Sequence, residues 1–254
     1  MRSGLQKFLI RLYPLVRRVV PDRHFAWPLF GGRIFLNVCE SLMMYERALG
    51  AYEAAKVQMI RDLLAPGMTF LDIGANKGYF SLLAASILKD SGRIVAAEPE
   101  PTNCGWLRRT MRRDLYPNVD VMQVAVGSDA KRGRLYLGER SGWHSLVESG
   151  DRQSVEIEVT TLDALVEHFA LERVDVVKID VEGSEVEVLR GARRTLTHES
   201  DPVILMDVHP QLGVDPKEIS QAAATYGLRI FNIEDPTTEI QAPPETPSEI
   251  VLRK

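Results

Sequence analysis

Apolar positions along the chain change their period repeatedly, and each change marks an element. Residues 68–81 read Met-Thr-Phe-Leu-Asp-Ile-Gly-Ala-Asn-Lys-Gly-Tyr-Phe-Ser. Phe70, Leu71 and Ile73 form a short apolar run suited to a buried strand. Gly74 and Gly78 break it, and residues 79–85 resume with helical composition. Strand, glycine turn and helix make the first half of a nucleotide-binding βαβ unit, with the new helix pointing free N–H groups at the turn. Further apolar runs predict core strands at 93–99, 119–126, 174–181 and 202–209. Between them, residues 102–114, 186–192 and 216–226 carry helical patterns, and Thr160-Thr161-Leu162-Asp163 opens another helix. Two β-rich stretches, 134–138 and 155–161, flank a loop containing Ser141-Gly142-Trp143-His144-Ser145. Residues 228–233 and 249–254 suit a closing antiparallel hairpin. This alternation demands an α/β fold whose mostly parallel sheet is covered by helices on both faces, with the ligand at the C-terminal strand ends beside strand one.

Upstream, residues 40–64 show a helical pattern ended by Ala65-Pro66-Gly67, and residues 33–38 suit a short strand. In residues 1–20, Arg2, Lys7, Arg11, Arg17 and Arg18 interrupt the apolar positions too often for a signal peptide or a membrane span. The spacing suits a basic amphipathic helix bent at Pro14, which would either lie on a membrane surface or pack on its own domain or a second subunit. Residues 1–64 thus read as a helical cap or lid, also suited to a homodimer interface, and residues 65–254 as the nucleotide-binding domain.

Composition narrows the picture only modestly. With 254 residues, 45% apolar, the chain can bury a large core, and its net charge of −4 disfavours a dedicated nucleic-acid binder. The two cysteines, Cys39 and Cys104, form no framework or metal pair, which points to a reducing, cytoplasmic setting.

The turn is not a dinucleotide fingerprint. It reads Asp72-x-Gly74-x-Asn76-x-Gly78, and an acid directly before it would repel a pyrophosphate but suit a cation. S-adenosylmethionine carries an ammonium and a sulfonium and no phosphate. Asp72 and the turn, with Gly74, Asn76, Gly78 and Tyr79, suit its amino-acid end. Glu98 follows the last glycine by about 20 residues, the expected place for a ribose-binding acid. Gln123 and Ala125, at the end of the third strand, are placed to flank the adenine.

These residues resemble the FkbM family of S-adenosylmethionine-dependent methyltransferases. The resemblance rests on residues 71–81, on Thr161-Leu162-Asp163, and most specifically on Val177-Lys178-Ile179-Asp180-Val181-Glu182-Gly183-Ser184-Glu185 with Val188-Leu189-Arg190-Gly191-Ala192. It implies a Rossmann-like class I methyltransferase fold with a seven-stranded sheet, and O-methylation in glycan or natural-product assembly. Residues 1–45 carry no such likeness, so the acceptor does not follow from it.

Methyl transfer to an aliphatic hydroxyl needs a base or a metal ion to remove the proton. Asp180 and Glu182 alternate at the end of one core strand, Asp207 and His209 at the end of another. Period two sets each pair on one side of its strand, and adjacent strands lie roughly 4.8 Å apart. The four could hold Mg²⁺ against two neighbouring sugar hydroxyls; equally, Asp180 and Glu182 could only complement the next helix N-terminus. For Glu185, pairing with that helix dipole is the simpler account. His144, beside Trp143, is either a base or an ordinary loop histidine. The combination resembles the sugar O-methyltransferases of the family, including those that methylate mannosides. The expected acceptor is therefore a small-molecule or oligosaccharide hydroxyl, with no nucleic acid. The competing readings are an RNA or protein methyltransferase using Arg108, Arg109, Arg112 and Arg113, and a non-catalytic membrane-surface module using residues 1–20.

Overall fold

The computed structural model describes residues 4–138, 146, 153–197 and 201–254. Helices α1 (Gly4–Arg11) and α2 (Tyr13–Val19) lead into a hairpin of β1 (Phe25–Leu29) and β2 (Gly32–Leu36). Helices α3 (Leu42–Ala48) and α4 (Ala54–Leu63) follow. The pattern over 40–64 predicts one helix, but the chain breaks it at residues 49–53, where Gly50 and Glu53 take left-handed dihedrals (φ 62° and 41°). That break carries Tyr52 towards the centre of the molecule.

The remaining chain alternates as its apolar runs require. β3 (Thr69–Ile73), α5 (Tyr79–Leu88), β4 (Arg93–Ala97), α6 (Pro101–Thr110) and β5 (Val119–Met122) are followed by β6 (Ala125–Val126), β7 (Lys131–Tyr136) and β8 (Ser154–Thr160). Next come α7 (Leu162–His168), β9 (Val176–Ile179), α8 (Glu185–Arg190), α9 (Arg193–Thr197), β10 (Val203–Val208), α10 (Pro216–Thr225), β11 (Arg229–Asn232), β12 (Glu239–Ile240) and β13 (Ser248–Arg253).

The main sheet has the order β12-β11-β13-β10-β9-β3-β4-β5, seven strands plus the two-residue edge strand β12. Strands β10, β9, β3, β4 and β5 are parallel, and β13 inserts antiparallel between β10 and β11. The order reverses between β3 and β9, which opens a crevice at their C-terminal ends. The third predicted strand divides: after Met122 the chain leaves the main sheet, and β6 joins β8 and β7 in a small separate sheet.

Alternation along the central strands fills two cores. Leu71, Ile73, Val177, Ile179, Ile204 and Met206 face α7, α8 and α10 on one side. Phe70, Val176 and Leu205 face the other, where Ile34, Leu36, Met44, Ile60 and α5 pack. Asp72, Lys178 and Asp207 share the register of this second face, so three charges enter an otherwise apolar layer.

The α1–α2 pair packs on its own domain. Tyr13, Val16 and Val20 pack on Val38, Cys39 and Tyr45, while Leu5, Phe8, Leu15 and Val19 are exposed. No helix among the described residues is long and apolar enough to cross a membrane.

Candidate functional site

The turn after β3 forms one wall of a cleft that encloses about 680 Å³ of space open to solvent. Gly74 (φ 76°) is required there by proximity: a Cβ at this position would lie 1.8 Å from the Asp180 carbonyl oxygen. Asn76, also left-handed at φ 51°, donates its N–H to Glu98 Oε2 at 2.8 Å. The Glu100 N–H holds the other Glu98 oxygen at 2.9 Å. Burial raises the Glu98 carboxyl to about 7, although both backbone donors pull it down. Each carboxylate oxygen still has a lone pair with which to accept a further hydrogen bond.

Of the residues expected to hold the methyl donor, Gly74, Asn76, Glu98 and Ala125 line this cleft. Asp72 does not. It is fully buried beneath the turn, where Oδ2 accepts from Ser81 Oγ at 2.6 Å and Lys178 Nζ lies 3.3 Å from Oδ1. Its place in the second core sets this direction, and its charge acts on the turn through Lys178, which donates to the Gly74 carbonyl at 2.6 Å. Gly78 packs against α6, with Leu107 Cδ1 2.8 Å from where a Cβ would stand. Tyr79 is buried among Phe30, Tyr52 and Phe80. Gln123 is exposed, and its neighbours Val124, Ala125 and Val126 supply the apolar wall.

The N-terminal segment contributes residues that sequence reasoning passes over. Met43, Arg47 and Tyr52 line the cleft opposite the turn. Arg47 stands four residues after Met43, on the same helical face, and a charge on that face is the signal that could have found it. Lys77 ties the segment to the turn through Glu40 at 2.8 Å.

A second cleft, of about 1040 Å³, shares Tyr52, Asp180 and Glu182 with the first and adds Glu53, His209, Asn232 and Glu249. At the junction, Asp180, Glu182 and His209 each bring one ligand atom within 4.8 Å of the others. His209 Nδ1 lies 2.6 Å from Glu185 Oε1, which leaves Nε2 3.6 Å from Glu182 and 3.9 Å from Asp180. Burial alone would lower the imidazole; the Glu185 bond and the nearby carboxylates raise it to about 9. Burial, then the Asp180 charge, raises Glu182 to about 8.

Asp207 does not join this cluster. Both of its oxygens lie 2.6 Å from Lys56 Nζ, which also meets Glu53 at 2.6 Å and Glu249 at 3.4 Å. Period two fails to unite the four expected ligands because Asp180 and His209 lie just past their strands. β9 ends at Ile179 and β10 at Val208, and Glu182 turns left-handed at φ 52°. The acid triad Glu53, Asp207 and Glu249 instead surrounds the Lys56 ammonium.

His144 lies outside the described residues. Leu146, two residues on, lines the first cleft. The expected helix over 102–114 ends at Thr110, and the basic run in and after α6 is engaged locally: Arg112 pairs with Asp114, Arg113 with Asp120, and Arg109 lies over Trp106.

Residues 72–229 match the model of the methyltransferase FkbM domain. The chain belongs to that family. It is 30% identical over 154 residues to the hexuronic acid methyltransferase AglP of Haloferax volcanii, covering 59% of each chain. It is 29% identical over 171 residues to the AMB antimetabolite synthetase AmbE of Pseudomonas aeruginosa, covering 51% of this chain and 8% of that protein. The chain thus spans less than two thirds of the length of these relatives. In fold it is similar to a methyltransferase FkbM from Methylobacillus flagellatus, at a TM-score of 0.51 and 14% identity, covering 96% of this chain and 58% of that one.

Proposed function

We propose that the protein is an O-methyltransferase that transfers the methyl group of S-adenosylmethionine to a hydroxyl of a sugar or glycoside, assisted by a divalent metal ion. The convergence of Asp180, Glu182 and His209 where the two clefts meet carries this reading. The first cleft suits the donor, since Glu98 faces a ribose and Val124–Val126 an adenine. The second is large and polar, as a saccharide requires. The likeness to a hexuronic acid methyltransferase supports a sugar acceptor.

The donor set fits a hard divalent ion. Two carboxylates and one imidazole leave positions open for water or substrate, and the second imidazole nitrogen is held by a buried carboxylate, as is usual for metal-bound histidine. Mg²⁺ suits such oxygen-rich ligands. When bound, the ion would lower the pKa of a coordinated hydroxyl. The chain's own residues do the rest. Glu98 and the Gly74–Asn76 turn fix the donor, which supplies the orientation that an in-line displacement needs. Tyr52, on both clefts, separates the reacting centres from bulk water. The acceptor oxygen attacks the methyl carbon, the carbon–sulfur bond breaks, and S-adenosylhomocysteine leaves neutral at sulfur. The hydroxyl proton goes to a base, and His144, two residues from Leu146 on the cleft wall, is our candidate.

The test is methyl transfer from labelled S-adenosylmethionine to a panel of glycosides, with Mg²⁺ and with EDTA. We expect turnover on at least one glycoside, lost in EDTA and restored by Mg²⁺. Full turnover in EDTA removes the metal from the account, and transfer only to non-sugar acceptors removes the saccharide.

A further inference from the structure

Arg47 presents a guanidinium that the fold satisfies only in part. The residue is 4% exposed and lies over the Tyr52 ring, 4.4 Å from its centroid. Nη1 donates to Asn76 Oδ1 at 3.2 Å, while Nε is buried and meets no acceptor. Burial lowers its pKa, but the Tyr52 side chain, through charge and a hydrogen bond, and the charges of Glu53 and Asp180 raise it; among the described residues no carboxylate pairs with it directly. A buried cation with no directly paired carboxylate is costly, and a guanidinium with a free Nε–H donor suits a carboxylate.

Its position in the cleft says whose carboxylate. Asn76 stands between two readers: its N–H goes to Glu98, the ribose-facing acid, and its side-chain oxygen takes Arg47. Glu98 donates its N–H to the Met122 carbonyl at 3.1 Å, two residues before the Val124–Val126 stretch, and Arg47 lies over Tyr52; all of these but Met122 line the one cleft with Asp180. The sequence of groups along the wall is therefore apolar, acid, glycine turn, then a cation with an acid. S-adenosylmethionine presents the same order as adenine, ribose, sulfonium and a zwitterionic amino-acid end.

We infer that Arg47 is the carboxylate-binding site for the amino-acid end of the methyl donor. It lies outside the matched segment 72–229, so on this inference the N-terminal segment contributes to the donor site. The inference rests on the donor reading proposed above. A uronic-acid acceptor could offer the same chemistry from the second cleft, and the test separates the two.

Binding of S-adenosylhomocysteine and of 5′-methylthioadenosine, which lacks the amino-acid end, is measured by calorimetry for the full chain, Arg47→Met and Arg47→Lys. We expect Arg47→Met to weaken S-adenosylhomocysteine by about 10- to 100-fold, the range for hydrogen bonds to charged groups. 5′-Methylthioadenosine should change by less than about threefold, and Arg47→Lys should fall between. Retained 5′-methylthioadenosine binding reports a folded cleft. Equal loss for both ligands makes Arg47 a packing residue and overturns the inference. So does unchanged S-adenosylhomocysteine affinity, including the case in which KM for an acidic acceptor rises instead. Failure of the unaltered protein to bind either ligand sinks the donor reading itself, a distinct outcome.

Discussion

Lys56 Nζ lies 2.6 Å from each carboxylate oxygen of Asp207, and no part of the lysine is exposed. The bond pins α4 to β10 across 151 residues of chain, under the face of Phe80 at 5.3 Å. Burial would lower the ammonium, but Asp207, Glu53 and Glu249 hold its pKa well above the ordinary value, so it stays charged. Removing it leaves three facing carboxylates without their cation at the edge of the second cleft. Lys56→Met should lose about 3–5 kcal/mol of stability in urea unfolding, the usual cost of breaking a buried pair. Lys56→Met combined with Asp207→Leu should recover part of that loss. An unchanged urea midpoint for the single variant would show that the network contributes nothing to the fold.

Glu98 gives the donor site a pH dependence. Its carboxyl is raised by burial to about 7, so the folded protein without ligand holds a proton that the unfolded chain releases at the ordinary value of 4.5. Stability from this group is therefore greatest in acid and declines as pH rises towards 7. Ribose hydroxyls donate to the charged form and favour it. Donor binding below pH 7 must then expel a proton, and affinity should rise with pH until about 7 and level off. Calorimetry of S-adenosylhomocysteine between pH 6 and 8, in two buffers of different ionisation enthalpy, measures both effects. Glu98→Gln should bind about tenfold more weakly and lose the slope. A flat profile in the unaltered protein rules out Glu98 as the titrating group.

How far the sequence carries these conclusions depends on the kind of signal. The parallel strands and the glycine turn are legible because period two and fixed spacings act locally. Glu98 is legible for the same reason, since the length of α5 and β4 sets its distance from the turn. Spacing alone points Asp72 at the ligand, yet alternation with Leu71 and Ile73 turns it to the second core, where Lys178 and Ser81 hold it. Asp207 reads as a metal ligand beside His209 because its true partner, Lys56, comes from a segment 151 residues away. Arg47 escapes notice because the 40–64 pattern reads as one uninterrupted helix, and only the break at Gly50 shows which face meets the turn.

Glu185 separates a structural from a functional account of the acidic cluster. It heads α8, and its Oε1 accepts from the Gly183 N–H at 3.1 Å as well as meeting His209 Nδ1 at 2.6 Å. If it only served the helix end, Glu185→Gln would cost stability and nothing else. If it orients His209 in the metal site proposed above, its neutralisation should weaken metal affinity by about 10- to 100-fold. The measurement is the Mg²⁺ concentration for half-maximal turnover, with S-adenosylhomocysteine affinity as the control that should stay unchanged. An unshifted Mg²⁺ requirement would confine Glu185 to the helix end.

Two glycines distinguish strain from collision. Gly213 has φ 91° with nothing within 4 Å of where a Cβ would stand, so Gly213→Ala should cost only the left-handed penalty, about 1–2 kcal/mol. Gly74 has φ 76°, and a Cβ there would meet the Asp180 carbonyl oxygen at 1.8 Å. That oxygen belongs to backbone that cannot swing aside without parting β3 from β9, which the Asp180 N–H to Ile73 carbonyl bond at 3.0 Å joins. Gly74→Ala should therefore separate the strand ends at the switch point. We expect loss of S-adenosylhomocysteine binding together with a thermal midpoint lowered by more than in Gly213→Ala. Retained binding in Gly74→Ala would mean that the strand ends open freely, and the close contact at the turn would then be no constraint on the donor site.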